Sequence, residues 1–591
     1  MFIDSEEDRY GLALGADARD GSTRFGAWSN RAKTCAVKLG DRQLPMLALR
    51  DGFFAIDVEG VGPGARYSFV LDGEEVRDPY ARWLPDGVEA PAEVWRSKYE
   101  WQHLAPARPL RDQAIYELHV GAFTPEGTYA AAKDKLPYLA QLGVTTLELM
   151  PLAAFKGERG WGYDGVAHFA PHAPYGTPDE LRGFIDAAHG HGLQVLLDVV
   201  YNHFGPVGNV LYRYSDDYFQ SGEKTAWGDA PNYGHPAMRR YLLRNARCWL
   251  EDFRFDGLRL DATHAIVDRS PRHVLTELCD EVQRLSPKRF LIAEDERNEP
   301  KLVTEHGFDA VWADDFHHQV HVALTHERDG YYAAFGGTAA ELAETIENGW
   351  FYRGAKSPLT GQPRGADASA LPAEAFVYCI QNHDQVGNRA FGDRLACKEA
   401  AAAMLLLFLP ETPLLFMGQE WAASTPFLYF TDLDGELGKA VTLGRRNEFS
   451  RFAAFRDEKV REQIPDPQAR NTFRRSQLDW VELHQPSRSR ILEVHRAMLK
   501  LRATDHVFKH TGREHLHASA SGSVLTVERR LGGHVRKLVI NLNGRPHLLQ
   551  PDPARRHPRL LLSSDPGADD WGEVITGGTA VLIAYEAEGH R

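Results

Sequence analysis

Two residues that could carry chemistry stand one residue apart in the segment FDGLRLDATH, residues 255–264. The apolar residues of this segment alternate as in a short strand. Residues i and i+2 of a strand project to the same side, so the guanidinium of Arg259 should lie beside the carboxylate of Asp261. The cation would keep Asp261 ionised at neutral pH, and an ionised, fixed carboxylate can act as a nucleophile. A surface salt bridge is the alternative that this segment alone leaves open.

Two further acids follow apolar runs later in the chain, Glu294 in LIAED and Asp384 in QNHD. Together with Asp261 they stand at the ends of three separate predicted strands. Neighbouring carboxyl groups push their pKa values apart, so one can stay protonated as an acid while another remains a nucleophile. This combination is the equipment for cleaving a glycosidic bond.

Three further side chains could hold a sugar beside these acids. His203 and His383 can form hydrogen bonds with sugar hydroxyls, and Tyr163 offers a face for a sugar ring. A single histidine is more often a satisfied structural residue than a ligand. Their position at predicted strand ends, beside acids, favours a binding role.

The elements that must position these residues begin near residue 113, where apolar runs alternate with amphipathic stretches. This alternation predicts an α/β fold, and eight such runs predict a closed (β/α)8 barrel, a TIM barrel, with its chemistry at the carboxyl ends of the strands. The predicted strands are residues 115–120, 145–150, 193–200, 255–260, 290–293, 310–313, 376–380 and 414–417.

Shorter β-type runs flank the predicted barrel. Residues 1–103 alternate such runs with turn residues, which predicts an N-terminal β-sandwich. We expect the barrel to occupy residues 104–505, with an excursion at about 204–245 after the third strand and a last helix at 487–502. Residues 506–591 predict a C-terminal β domain.

Composition excludes several classes of function for these 591 residues. The formal net charge of −14 argues against a nucleic-acid partner. The five cysteines, an odd number without the spacing of a disulfide framework or zinc site, indicate a reducing compartment. The first eight residues are too acidic for a signal peptide, and no apolar run reaches membrane-spanning length. We expect a soluble, cytoplasmic protein without a membrane partner. The cysteines are Cys35, Cys248, Cys279, Cys379 and Cys397.

Four segments resemble, in the same order, the four sequence regions of the α-amylase superfamily of glycoside hydrolases: DVVYNH (198–203), GLRLDATH (257–264), AED (293–295) and NHD (382–384). The resemblance implies that Asp261 forms a glycosyl-enzyme intermediate, that Glu294 is the acid/base and that Asp384 stabilises the transition state. It also implies that the N-terminal domain is similar to a carbohydrate-binding module. The implied substrate contacts are Tyr163, His203, Arg259, Leu260, Ala262, Thr263, His264, His383, Gln385, Asn388 and Arg389.

The same resemblance bears on metals, because Asn202 stands where some amylases have a calcium ligand. The residues that follow, GPVGNV at 205–210, lack a dense set of acids. We therefore expect no required metal and no cofactor.

Further segments, WADDFHH (312–318), EDERNEP (294–300), FTD (430–432) and GRRNEF (444–449), resemble the maltooligosyltrehalose trehalohydrolases within that superfamily. The resemblance implies hydrolysis of the α-1,4 bond next to the terminal trehalose, with maltooligosyltrehalose and related α-1,4-glucans as partners. Two alternatives stay open, a 1,4-α-glucan branching enzyme and a non-catalytic glucan-binding protein on an amylase-like fold. The residues expected to grip the trehalose are Asp314, Asp315, Phe316, His317 and His318.

Overall fold

The computed structural model describes residues 13–395, 398–542, 545–549, 558–565 and 574–586. The acidic N-terminal segment and Cys397 lie outside these ranges. The other four cysteines are buried and not in disulfides.

A closed barrel of eight parallel strands forms the centre of the molecule. The predicted (β/α)8 barrel is confirmed, and each strand overlaps its predicted run. The first and last strands pair with each other, with Ile115 opposite Leu414, and so close the barrel. The strands are β1 (Ile115–Leu118), β2 (Thr146–Leu149), β3 (Gln194–Val199), β4 (Gly257–Leu260), β5 (Phe290–Glu294), β6 (Ala310–Trp312), β7 (Phe376–Cys379) and β8 (Thr412–Phe416).

Close packing at the start of β4 sets the register that the acids need. A Cβ atom on Gly257 would lie 2.5 Å from the carbonyl oxygen of Phe290, so only glycine lets β4 approach β5 this closely. In the resulting register Arg259 pairs with Asp198 on β3 and with Ile292 on β5. Arg259 is therefore directed into the barrel, beside the carboxyl ends of its neighbours.

Helices on the outside of the barrel connect most of the strands. The last one, Pro486–Thr504, packs on Glu399–Phe408 and covers the range expected for a final barrel helix. Within the described ranges, none of the helices is long and apolar enough to cross a membrane. The principal helices are Leu136–Leu142, Pro178–Gly190, Pro236–Arg247, Val274–Gln283, Asp314–Thr325, Ala339–Asn348, His383–Gly387, Glu399–Phe408, Gly435–Glu448, Arg470–Ser476 and Pro486–Thr504.

Two strand–helix connections carry extra β structure over the mouth of the barrel. After β2, a small hairpin pairs Ala153–Ala154 with Ala167–Pro171. After β3, a second hairpin pairs Phe219–Thr225 with Gly228–Pro231. The helix Pro236–Arg247 begins within the range that the sequence suggested for the excursion.

Two β units flank the barrel, as the sequence predicted. The N-terminal unit contains a sheet in the order Gly15–Arg19, Ser22–Trp28, Phe53–Glu59, Leu47–Ala48 and a second sheet in the order Arg42–Pro45, Cys35–Leu39, Arg66–Leu71, Glu74–Val76. The C-terminal unit contains a sheet in the order Leu516–Ser521, Val524–Leu531, His534–Asn541, Thr579–Tyr585, Arg559–Ser563.

Candidate active site

Arg259 lies at the centre of the barrel mouth, completely buried. Its Nη1 atom donates to both carboxylate oxygens of Asp198, at 2.9 and 2.8 Å, and to Oδ1 of Asp261 at 3.2 Å. Its Nη2 atom lies 2.8 Å from Oε2 of Glu294, and its guanidinium carbon lies 4.1 Å from the centroid of the Trp312 ring. One cation thus joins acids from three neighbouring strands.

Asn202 provides the second anchor for Asp261. Its Nδ2 atom donates to Oδ2 of Asp261 at 2.7 Å and to the Asp261 carbonyl oxygen at 2.8 Å. Each carboxylate oxygen of Asp261 therefore accepts a hydrogen bond, one from Arg259 and one from Asn202. The amide oxygen of Asn202 contacts the ring of His203. Both polar atoms of Asn202 are thus engaged in holding the site.

Glu294 is placed so that its protonated form is favoured. Burial raises its pKa well above the ordinary value; Arg259 opposes this shift, while the carboxylates of Asp261 and Asp384 add to it. The backbone N–H of Ala262 donates to Oε2 of Glu294 at 2.8 Å. Ala262 has a φ of 40°, in the left-handed region, and this turn aims its N–H at the acid.

His383 connects the buried end of the site to Tyr163. Its Nδ1 atom contacts Oε1 of Glu117, and its backbone N–H donates to Oε2 of Glu117 at 2.8 Å. Its Nε2 atom lies 2.6 Å from the Tyr163 hydroxyl, which donates to Oδ2 of Asp198 at 2.5 Å. Burial would lower the pKa of His383, but Asp384 and Glu117 raise it to about 10. The charged imidazolium can therefore donate at both nitrogens.

A cleft of about 730 Å³ opens beside Glu294 and Asp384. Asp384 is held by the Asn388 amide, which donates to its Oδ1 at 3.0 Å, and its Oδ2 lies 3.3 Å from Nε2 of His383. Burial raises the pKa of Asp314 to about 6, and the Asp384 carboxylate adds to this effect. The other polar and aromatic residues that line the cleft include His318, Gln385, Glu296, Arg297, Arg364, Tyr331 and Phe335.

The structure divides the five residues expected to grip trehalose into two groups. Asp314 and His318, one helical turn apart, line the cleft. The three residues between them face the interior and do not reach it. Oδ2 of Asp315 accepts hydrogen bonds from Asn298 Nδ2 and from the backbone N–H groups of Phe351 and Tyr352, Phe316 stacks on Tyr378, and Nδ1 of His317 lies 2.8 Å from the carbonyl oxygen of Ile380.

Other predicted contacts also have partners inside the protein. Leu260 is buried in the core, and the hydroxyl of Thr263 donates to the Glu294 carbonyl oxygen at 2.9 Å. Arg389 is paired with Glu327, with 2.8 Å between its Nη1 and a carboxylate oxygen. His264 is partly exposed, 4.0 Å from a carboxylate oxygen of Glu296. Nε2 of His203 lies 2.7 Å from the carbonyl oxygen of Tyr163. These contacts with other protein groups hold the walls of the site in place.

Several residues at the site were not among the predicted catalytic acids or substrate contacts. Glu117 and Asp198 hold His383 and Arg259, and their signal was an acid at the end of a predicted strand. Arg364 lines the cleft from an irregular loop rich in glycine and proline, where no periodic pattern marks it.

Side-chain clusters that could hold a metal ion lie elsewhere in the described chain. One joins His506, His534 and Glu586, and the other joins His510 and His515 with Glu514. Neither cluster includes a residue of the barrel mouth.

The chain is similar in sequence and in structure to several known proteins. The α-amylase catalytic domain model matches residues 110–229. A malto-oligosyltrehalose trehalohydrolase from Deinococcus radiodurans is 48% identical over 590 residues, covering 96% of each chain. An alpha-amylase-like protein of Salmonella typhimurium, known from a crystal structure, superposes with a TM-score of 0.89 at 37% identity, over 97% of this chain and 100% of that one. A 1,4-alpha-glucan branching enzyme from Leifsonia xyli is 34% identical over 45% of this chain and 40% of its own.

Proposed function

The chain belongs to the malto-oligosyltrehalose trehalohydrolase family of α-amylase-type glycoside hydrolases, and we propose that it releases trehalose from maltooligosyltrehalose with Asp261 as nucleophile and Glu294 as general acid. The observation that carries this assignment is that Asp261 and Glu294 share the guanidinium of Arg259 but differ in their other surroundings. The same guanidinium contacts Asp261 and Glu294. Burial raises the pKa of Glu294 well above its ordinary value, whereas the two carboxylate oxygens of Asp261 accept hydrogen bonds from Arg259 and Asn202. The two acids are thereby prepared for different roles.

In the first step, a carboxylate oxygen of Asp261 attacks the anomeric carbon on the maltooligosyl side of the scissile bond. The bond from that carbon to the glycosidic oxygen breaks, and the proton of Glu294 passes to this oxygen as trehalose departs. Hydrogen bonds from Arg259 and Asn202 fix the attacking carboxylate, so its orientation is set before the sugar arrives.

In the second step, Glu294 is ionised and takes a proton from water as that water attacks the anomeric carbon. The ester bond to Asp261 breaks, and the maltooligosaccharide leaves with retained configuration. General acid–base assistance of this kind contributes roughly 10²–10⁴-fold to the rate. Asp384, held by Asn388 and next to His383, is positioned to stabilise the positive charge that develops on the sugar ring.

The cleft next to Glu294 is the candidate site for the departing trehalose. Asp314 and His318 present polar groups from one face of a helix, and Tyr331 and Phe335 present aromatic rings. Burial lowers the pKa of His318 to about 3, so its imidazole is uncharged and can accept or donate a hydrogen bond to a hydroxyl.

Product analysis with maltotriosyltrehalose tests the proposal. We expect free trehalose and maltotriose from the native protein, and nearly complete loss of turnover in Asp261→Asn and in Glu294→Gln with the fold retained. Wild-type activity in Glu294→Gln would refute the assignment. An altered iodine stain of amylose without trehalose release would instead indicate the branching reaction, and sugar binding without any turnover would indicate a non-catalytic protein.

A further inference from the structure

A second large cavity lies between the N-terminal domain and the barrel, and we call it the interdomain cavity. It is open to solvent, has a volume of about 790 Å³ and shares no lining residue with the cleft beside Glu294. Its walls are the N-terminal loop 84–89, the loops after β1 and β2 at 121–127 and 154–159, the turn 172–175 and the helix Arg470–Ser476. This volume is in the range of pockets that bind small organic ligands.

The charges around the interdomain cavity balance, which points to a neutral ligand. Two cation–anion pairs lie within the lining itself, Lys156 with Glu89 and Arg470 with Glu158. Because these charges neutralise one another, the lining has no surplus of positive charge to attract a polyanion and no surplus of negative charge to attract a metal ion. The paired groups instead present fixed donors and acceptors. The lining contains four acids, Asp86, Glu89, Glu126 and Glu158, and four bases, Lys156, Arg159, Arg470 and Arg474.

One buried side chain of the lining has an unused polar atom. His172 is only 2% exposed, and among the described residues its Nε2 atom has no hydrogen-bond partner. Its ring stacks on Phe155 with 3.6 Å between centroids, which fixes its orientation. Burial lowers the pKa of His172 to about 3, so the ring is neutral. At this wall the interdomain cavity therefore has a stacked pair of uncharged rings, Phe155 and His172.

The opposite wall combines an aromatic ring with a free cation. Phe473 is half-buried and packs edge-on against Phe430, with 5.1 Å between ring centroids. Arg474 is exposed, and within the described ranges it forms no ion pair. An apolar ring face next to hydrogen-bond donors is the arrangement that suits a sugar, whose ring has apolar faces and a polar rim.

The position of the cavity links it to the active site. The wall at 154–159 belongs to the same β2 connection that carries Tyr163, whose ring stacks on His383. We propose that the interdomain cavity binds the α-glucan chain at a distance from the scissile bond. The choice of an α-glucan among neutral polyhydroxyl ligands rests on the proposed function.

Hydrogen–deuterium exchange of the Glu294→Gln protein, with and without maltoheptaose, tests this inference. We expect slower exchange in segments 154–159 and 470–477 when the sugar is present. Arg474→Ala, and independently Ala173→Trp, which fills the cavity from a half-exposed position, should remove that protection. Arg475→Ala is the matched control, because Arg475 is an exposed neighbour on the same helix that does not line the cavity.

The kinetic counterpart uses the active protein. Loss of a charged hydrogen-bond donor should raise KM for long-chain maltooligosyltrehalose about tenfold in Arg474→Ala, with kcat unchanged. KM for the shortest substrate should stay the same. Protection of the cleft segment 357–365 without protection of the cavity segments would overturn the inference and leave the proposed function intact. Protected cavity segments without trehalose release would support glucan binding and refute the hydrolase assignment.

Discussion

Replacing Glu117 by glutamine removes the buried carboxylate that contacts both Nδ1 and the backbone N–H of His383. Burial would lower the pKa of His383, but Asp384 and Glu117 raise it to about 10 from an ordinary 6.5. That difference corresponds to about 5 kcal/mol in favour of the charged ring. One adjacent carboxylate typically accounts for a change of roughly 1–3 pH units, so the pKa in Glu117→Gln should fall to roughly 7–9.

NMR titration of the His383 imidazole measures this change directly. A charged His383 donates to Tyr163 and contacts Asp384, and in the native protein it should lose its proton near pH 10. In Glu117→Gln the titration midpoint should move to roughly pH 7–9. Glu100→Gln is the control, because Glu100 is an exposed glutamate remote from the site. A midpoint that does not move would refute the role of Glu117.

The same shift has a consequence for stability with a definite sign. Because the folded-state pKa of His383 is raised from 6.5 to about 10, its contribution to stability is fully present below pH 6.5. It is lost as the pH rises through about 10. Thermal denaturation between pH 6 and 10 should therefore show the native Tm falling toward the alkaline end, with a smaller fall in Glu117→Gln. An equal fall in both proteins would contradict this account.

Three further substitutions separate catalytic from structural contacts. Phe316→Ala should cost about 3–5 kcal/mol of unfolding free energy in urea with KM unchanged, because its ring stacks inside on Tyr378; a raised KM in a stable protein would contradict this. Asp315→Ala should cost about 3 kcal/mol or more by the same assay, since three N–H groups lose their acceptor; an unchanged midpoint would contradict this. Asn202→Ala should lower kcat about tenfold by freeing one oxygen of Asp261, and an unchanged kcat would refute that anchoring role.

The barrel could be predicted from the sequence because its strands are short apolar runs. Strands buried on both faces lack alternation and stand out as continuous apolar segments between helical stretches. The acids at their ends follow directly, since the carboxyl ends of parallel strands meet at one mouth. Asp261, Glu294 and Asp384 could therefore be brought together before any coordinates were known, although their contacts could not.

The segment 312–318 shows why some residues that were predicted to contact trehalose do not line the cleft. Five consecutive residues were expected to contact trehalose, but they begin the helix Asp314–Thr325. On a helix only residues three or four apart share a face, so Asp314 and His318 line the cleft while the residues between them turn inward. The hydrophobic pattern of this segment is interrupted by acids and histidines, which hid the helical period.

The irregular loop at 353–366 could not be assigned at all. It contributes Ser357, Leu359 and Arg364 to the cleft, yet its position depends on contacts far away in the sequence. Nη1 of Arg364 lies 2.8 Å from Oδ1 of Asp315, and its Nε atom donates to the carbonyl oxygen of Glu296 at 2.9 Å. Such contacts arise from tertiary packing, and no local pattern in the sequence records them.

Charge balance at the barrel mouth supports the division of roles independently of family resemblance. Among the described residues, Arg259 and His383 are the cations in contact with the five carboxyl groups there. Two cations cannot compensate five anions where burial weakens solvation, so a carboxyl group must take up a proton. Asp198, Asp261 and Glu294 share Arg259, and burial raises the pKa of Glu294 well above its ordinary value. An acid at which burial favours the protonated form is therefore the one proposed to protonate the leaving oxygen. The five acids are Glu117, Asp198, Asp261, Glu294 and Asp384.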